Sequence, residues 1–184
     1  MAVEQFYPQF TDFDTLSGAV PTGEDAHVVL SDASDLTYVY GRAAYYVASF
    51  ARMRVAASIL PPATASINSV KLCFRAKCED IYADYLSVGF FSSEELTENL
   101  WHPTIPELTT DWAYYELTFA ENPITESQWA VGDFDGIGVV LKCANVFEDP
   151  YNVSLTFCSK FYLEIDFDPP RVIDASSNGI PVLW

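Results

Sequence analysis

The sequence predicts an all-β protein, an antiparallel β-sandwich of the jelly-roll type. Residues 153–167 carry the strongest signal, because apolar and polar side chains alternate there with the two-residue period of a strand. About eight such segments are separated by turn residues, without the strand–helix–strand order of an α/β protein. An immunoglobulin-like sandwich is the competing fold, but this chain is long for it and lacks the Cys…Trp…Cys arrangement.

The first half of the chain predicts five strands that are bounded by proline or by small polar residues. They are residues 26–30, 36–40, 44–58, 70–77 and 85–91. Pro61 and Pro62 end the third, because proline cannot donate to a central ladder. In the fourth, apolar residues alternate with Lys71, Arg75 and Lys77, so we expect a half-buried strand whose basic outer face pairs with acidic cross-strand neighbours.

The second half predicts strands over residues 112–119, 136–144 and 153–167 after a long connection. A short helical segment over residues 126–129, with Thr125 as its N-cap, is expected between the first two. The last strand would place on its inner face Val153, Leu155, Phe157, Ser159, Phe161, Leu163, Ile165 and Phe167. Ser159 is the only polar member of that row, which predicts a bend or a β-bulge at this position.

Both ends of the chain lack periodicity. We interpret residues 1–24 as an extended N-terminal arm, residues 25–167 as the sandwich and residues 168–184 as an extended C-terminal tail. Aromatic or proline side chains in such arms can bind neighbouring subunits. The interface candidates are Phe6, Tyr7, Phe10, Phe13, Pro169, Pro170, Leu183 and Trp184. The alternative is that both ends pack on their own sandwich.

The charge balance narrows the class of partner. The chain carries 26 acidic and 9 basic residues, a formal net charge of −17. Phosphate backbones bind clustered Lys and Arg, so we expect neither nucleic acid nor an anionic membrane as a partner. We see no secretory signal and no apolar run near the roughly 20 residues of a membrane span, which indicates synthesis in a cytoplasm. The four cysteines form no Cys-x-x-Cys pair, and the closest two, Cys73 and Cys78, fall on opposite faces of one predicted strand. This favours reduced structural thiols, with a disulfide or redox chemistry as the alternatives.

The sequence offers no catalytic, metal or cofactor signature. His27 and His102 are the only candidate bases, and neither lies in a recognisable motif. Acidic pairs such as Asp133 and Asp135 lack a downstream bidentate glutamate, so they indicate solvated surface charge rather than calcium ligands. No glycine-rich phosphate loop is present, and we expect no enzyme and no cofactor.

Aromatic residues on strands leave a carbohydrate-binding interpretation open, because sugar rings stack on exposed aromatic rings. The candidates for such stacking are Trp101, Trp112, Tyr114 and Trp129. The alternation of residues 112–119 turns Trp112 and Tyr114 outward, which favours these two. Ordinary packing at sheet edges or subunit contacts is the competing interpretation.

Several segments follow one another in a characteristic order. They are residues 67–76, 85–90, 114–115, 121–125, 129, 133, 135–142 and 161–167. This order resembles a β-sandwich domain that recurs in virion structural proteins of tailed bacteriophages, of the decoration or cement, collar, fibre-base or minor tail type. The chain differs from that pattern in being richer in aromatic residues and cysteine and poorer in Gly and Ser.

The resemblance implies a non-enzymatic jelly-roll subunit that decorates, cements or connects a phage particle. Its partners would be other capsid or tail subunits and further copies of itself, with a trimer favoured. It would be made in the host cytoplasm and reside in the virion. The alternative function is a carbohydrate- or receptor-binding β-sandwich module.

Overall fold

The computed structural model describes most of the chain. The described residues are 1–14, 18–20, 22, 24–31, 34–42, 49–54, 60–79, 84–92, 108–135, 137–145 and 155–170. They form two antiparallel sheets of long strands, with helical segments of six residues or fewer. The predicted all-β sandwich is therefore confirmed.

The chain order of the elements places one short helix among the early strands. The strands of the first half are β1 (Ala2–Phe6), β2 (Phe10–Asp14), β3 (Gly18–Val20), β4 (Tyr38–Arg42), β5 (Ser49–Arg54), β6 (Ser66–Cys78) and β7 (Asp84–Ser92). Those of the second half are β8 (Ala113–Phe119), β9 (Glu121–Asn122), β10 (Ser127–Gln128), β11 (Ile137–Asn145) and β12 (Leu155–Asp168). Helix α1 (Ala26–Ser31) precedes β4, and a 3₁₀-helix (Val131–Asp135) precedes β11.

The large sheet has the order β3-β4-β12-β6-β8, and β1 also pairs with β12. The small sheet has the order β2-β5-β11-β7, and β9 with β10 forms a separate short hairpin. Strands β4 to β7 lie alternately in the large and the small sheet, and β8, β11 and β12 alternate in the same way. This exchange between two antiparallel sheets is that of a jelly roll.

The core lies between the inner faces of the two sheets. In β6, Val70, Leu72, Phe74 and Ala76 are fully buried, as their alternation predicts. In β7 the same is true of Leu86, Val88 and Phe90. Each large apolar side chain buried here contributes about 1.5–3 kcal/mol, so these rows fix which face of each strand turns inward.

Strand β12 contains the predicted bulge. Cys158 pairs with Ala76 and Lys160 pairs with Arg75, which leaves Ser159 between two consecutive residues of β6. The bulge prediction at Ser159 is confirmed, but one consequence was not foreseen. The extra residue reverses the alternation, so Phe157 lies on the outer face and Cys158 on the inner face. The prediction that Phe157 faces the core is wrong, and Leu155, two residues earlier, shares its face.

Residues 26–30 form a helix rather than the predicted strand. Val28 and Val29 both donate a backbone hydrogen bond to the Asp25 carbonyl at the start of α1. Ala26, Val29 and Leu30 are buried and follow the i, i+3, i+4 spacing of one helix face. A short apolar segment fits both periods, and the packing of this face against the sandwich decides between them.

Residues 126–129 are not helical. The amides of Ile124 and Thr125 donate to Asn122 Oδ1 at 2.9 and 3.4 Å, which forms a turn between β9 and β10. Glu126 has a φ of 53°, outside the right-handed helical region. The local hydrogen bonds of a buried asparagine compete with a helix here and prevail.

The first 24 residues contribute three strands to the two sheets. Strand β1 pairs with β12, β2 with β5, and β3 with β4. Phe6 is 3% exposed and belongs to the core, so its ring is packed within its own chain. This packing agrees with the alternative interpretation, in which the N-terminal end packs on its own sandwich. Beyond Pro170 the tail lies outside the described residues.

Candidate functional site

The outer face of the large sheet, meaning the side turned away from the core, combines aromatic and charged side chains. Because paired residues of neighbouring strands share a face, the register assigns its members. Across the sheet, Tyr40, Phe157 and Lys77 form one row, with Trp112 next to β8. Lys160, Arg75 and Tyr114 form the second row, and Tyr162, Cys73 and Glu116 the third.

A shallow cavity of about 300 Å³ lies on this face beside Tyr114. It is lined by Cys73, Tyr114, Tyr115, Glu116 and Tyr162. We call it the Tyr114 cavity. The Tyr114 side chain is 61% exposed, the most exposed aromatic residue among the described large hydrophobic side chains. The cavity therefore offers an open aromatic ring next to a carboxylate and a phenol, the mixture of apolar surface and a few polar groups typical of small-molecule sites.

Arg75 supports the Tyr114 ring. Its guanidinium carbon lies 4.7 Å from the ring centroid, within the range of a cation–π interaction. Its Nε and one terminal nitrogen donate to the two carboxylate oxygens of Asp35 at 2.6 and 2.7 Å. Ser159, the bulge residue, donates to the same carboxylate at 3.3 Å. The bulge and the loop before β4 thus position Arg75, and Arg75 positions Tyr114.

We expect the stabilisation from the Asp35–Arg75 pair to hold from neutral pH down to about pH 4 and to decline below it. The hydrogen bond from Arg75 is the main reason why the pKa of Asp35 lies below its usual value. A carboxyl with a lowered folded-state pKa stabilises the fold above its unfolded-state pKa, and this contribution is lost as pH falls through the folded-state pKa.

Urea unfolding of the wild type and Asp35→Asn tests this expectation. Because the pair is partly exposed, the wild type should be more stable by up to about 1 kcal/mol near neutral pH. The difference should shrink progressively as pH falls below about 4, where the carboxyl of the unfolded chain becomes protonated. A difference that grows on acidification would contradict the assignment.

Aromatic rings from three strands meet at one end of this face. Tyr38 lies 5.5 Å from Phe157, 6.1 Å from Trp112 and 6.4 Å from Tyr40, measured between ring centroids. The Lys77 ammonium lies 5.0 Å from the Trp112 ring and 5.2 Å from the Phe157 ring. We call Tyr38, Tyr40, Trp112 and Phe157 the aromatic cluster. Phe157 belongs to this cluster because the bulge turns its side chain to the outer face.

The polar groups of the Tyr114 cavity favour binding over nucleophilic chemistry. Burial raises the pKa of Cys73 to about 11, so the thiol is neutral at pH 7 and a weak nucleophile. Burial also raises the pKa of Tyr162 above its usual value, which keeps its hydroxyl protonated. Lys71 holds the neighbouring Glu164 and Glu116 carboxylates at 3.2 and 3.6 Å, as the basic outer face of β6 predicts.

The predicted stacking residues are only partly brought together. Trp112 and Tyr114 both lie on the outer face, as expected from their alternation, and Trp112 is half-buried in the aromatic cluster. Trp129 is 3% exposed and belongs to the core, so it is not a stacking platform. Trp101 lies outside the described residues.

The predicted interface residues are dispersed. Tyr7 contacts Tyr162 at 5.5 Å between ring centroids, on the outer face of the large sheet. Pro169 is exposed and Pro170 is half-buried at the end of β12. The side chains of Phe10 and Phe13 lie outside the described part of the structure, as do Leu183 and Trp184.

Residues that the sequence did not single out complete the face. They are Tyr38, Tyr40, Phe157, Tyr162 and Lys160. The alternation in residues 153–167 contains the signal for Tyr162 and Lys160, since both fall in its polar row. Tyr38 and Tyr40 share a face of β4, but nothing in the sequence states which strands lie beside them.

The described part of the chain contains no group of three or more His, Cys, Asp or Glu side chains arranged to hold a metal ion. It also contains no helix that is long and apolar enough to cross a membrane. Cys73 and Cys158 are free thiols, and the Cys78 thiol donates to the Leu108 carbonyl at 3.4 Å.

No protein-family model matches the sequence, and no curated protein matches it. Solved structures of similar fold include a family 16 carbohydrate-binding module, with 13% identity over 72% of this chain and 79% of that chain and a TM-score of 0.40. The enzymatically active domain of tailspike protein 4 from bacteriophage CBA120 has 14% identity and a TM-score of 0.45, over 90% of this chain and 19% of that one.

The coat protein of Tobacco streak virus has 10% identity and a TM-score of 0.35, over 78% of this chain and 95% of that chain. These similar structures thus come from both carbohydrate-binding and viral proteins. At these identities and TM-scores the similarity carries no argument about function. The phage-specific resemblance of the sequence stays a prediction.

Proposed function

We propose that this protein is a non-enzymatic carbohydrate-binding β-sandwich module that binds glycan on the outer face of its large sheet. The observation that carries the proposal is the exposed Tyr114 ring, held by Arg75 above a cavity with polar walls. An open, fixed aromatic ring can stack on the apolar face of a sugar at little entropic cost, because its rotamer is already restricted.

The polar groups around the ring suit sugar hydroxyls. The Glu116 carboxylate accepts hydrogen bonds, the Tyr162 hydroxyl donates or accepts, and the unused N–H groups of Arg75 donate. The aromatic cluster continues this surface beyond the cavity. Trp112 and Tyr114 are two residues apart on one side of a strand, which spaces them by about 7 Å. A polysaccharide lying along β8 could contact both rings.

Replacing Tyr114 by alanine tests the proposal. We expect the wild-type protein to be retained by at least one polysaccharide in affinity electrophoresis and on a glycan array. Loss of a stacking ring costs about 1–3 kcal/mol, so Tyr114→Ala should weaken binding by about fivefold or more. Unfolding by urea should change little, because the ring is mostly exposed.

Val3→Ala is the matched control. Val3 is 55% exposed and pairs with Asp166 on the same outer face, at the opposite end from the aromatic cluster. This variant should bind glycan like the wild type. Equal loss in both variants, or unchanged binding in Tyr114→Ala, would contradict a site at the Tyr114 cavity.

A second proposal follows the resemblance of the sequence: a structural subunit of a phage particle, trimeric and bound to capsid or tail subunits. It is favoured by β1, which pairs with β12 and is an edge strand among the described strands. An edge strand offers unpaired backbone groups to another chain. Sedimentation analysis and cosedimentation with empty capsids test this role. A monomer that binds glycan and no particle would contradict it.

A further inference from the structure

We propose that the ligand of the outer face is an acidic polysaccharide, whose carboxylates bind Lys77 and Lys160. This inference rests on the proposed function and specifies the chemical class of its glycan. The sugar rings would stack on the aromatic side chains beside the two ammonium groups. The contacts of the two lysines indicate that this ligand is negatively charged.

Each of these lysines contacts two aromatic rings on the outer face. Lys77 is 5.0 Å from the Trp112 ring and 5.2 Å from the Phe157 ring. Lys160 is 5.0 Å from the Tyr162 ring and 5.9 Å from the Tyr7 ring. The rings hold the ammonium groups by cation–π interactions but do not neutralise their charge.

Two other basic residues of this face whose side chains are described are paired with acids. Lys71 is shared by Glu164 and Glu116, and Arg75 is bound bidentately by Asp35. Within the described residues, neither Lys77 nor Lys160 forms an ion pair, although the charge of Lys77 contributes to lowering the pKa of Asp35. The four basic side chains described on this face thus divide into two that are ion-paired and two that are not.

The chain has 26 acidic and 9 basic residues, so most basic side chains are expected to have an acidic neighbour. Two lysines that form no ion pair within the described residues are therefore unexpected. Beside rings suited to sugars, these two lysines are complementary to a chain that carries both carboxylates and pyranose rings. Lys160 is opposite Arg75, which is two residues from Lys77 on the same strand. The Cα atoms of Lys77 and Lys160 are therefore about 8 Å apart, close enough for one extended polymer to reach both lysines.

Binding of polygalacturonate, compared with the same polymer after reduction of its carboxyl groups, tests the proposal. The wild type should bind the acidic form about tenfold or more tightly, and this preference should weaken as salt is added. The double variant Lys77→Met, Lys160→Met should lose the preference. Arg54→Met, which removes a positive charge from β5 of the small sheet, should retain it.

The outcomes separate this inference from the proposed function. Equal binding of the two polymers overturns the acidic ligand while carbohydrate binding stands, and binding of neither by the wild type overturns both. Poly-L-glutamate, which has carboxylates but no sugar rings, is the third polymer to be compared. If it binds as tightly as polygalacturonate, and Tyr114→Ala binds it equally well, the face recognises an acidic polypeptide instead and the proposal fails.

Discussion

Replacing Trp129 by alanine should lower the free energy of unfolding by about 3–5 kcal/mol. The ring stacks on Phe134, with centroids 5.3 Å apart and planes at 6°, and meets the Phe90 ring edge-on at 5.2 Å. Its indole Nε1–H donates to the Phe119 carbonyl at 3.1 Å. Alanine would leave a cavity between β7, β8 and the 3₁₀-helix and would remove the hydrogen bond to the Phe119 carbonyl.

Urea unfolding monitored by circular dichroism measures this loss, and Trp112→Ala is the matched control. Trp112 is the same residue type, but it is half-buried on the outer face among Tyr38 and Lys77. Its removal should cost about 1 kcal/mol or less. Equal losses for the two variants would contradict the placement of Trp129 in the core and Trp112 outside it.

The inner rows of β6, β7 and β8 could be predicted from the sequence because each strand has one buried and one exposed face. Val70, Leu72 and Phe74 alternate with polar residues for that reason, and the structure buries all three. Tyr114 could be placed outside by the same alternation. A period of two is a local property, so no knowledge of neighbouring strands is required.

The errors arise where local patterns are ambiguous. The segment from Ala26 to Leu30 is too short for its period to separate a strand from a helix. The segment after Asn122 contains Thr125 as a possible N-cap, but the side-chain amide oxygen of a buried asparagine binds two backbone amides and forms a turn. In both cases tertiary packing or a local hydrogen bond overrides propensity.

The candidate site was harder to predict than the fold, because it depends on strand order. Phe157 contacts Tyr38 only because β12 lies beside β4, and Lys77 reaches Phe157 only because β6 lies on the other side of β12. The alternation of apolar and polar residues indicates which face of the sheet a residue occupies. It does not indicate which strand lies next to it. The bulge adds a second obstacle, since it reverses the face of Phe157 within an apparently regular strand.

Deleting Ser159 should leave the protein folded, whereas deleting Glu164 from the same strand should prevent folding. Without Ser159, the pairs Cys158 with Ala76 and Lys160 with Arg75 become consecutive in a regular ladder. Every remaining side chain of β12 then keeps its face. The cost is limited to the local twist and the hydrogen bond to Asp35, about 1 kcal/mol.

Deleting Glu164 shifts the preceding residues by one position and exchanges their faces. Phe161 and Leu163 would turn outward, and Lys160 would turn toward the core. Removing a large core side chain costs about 2–5 kcal/mol and burying a lysine several more, against a total stability of about 5–15 kcal/mol. Closing the bulge cannot restore these positions, because they lie between it and the deletion.

Circular dichroism and the reactivity of Cys158 distinguish the two deletions. Burial raises the pKa of Cys158 to about 12 and its side chain is almost fully buried, so the thiol should resist alkylation in the folded protein. It should remain protected after deletion of Ser159 and react rapidly after deletion of Glu164. Rapid reaction in both variants would mean that the bulge is required for the fold, and not only for the position of Arg75 and the Tyr114 cavity.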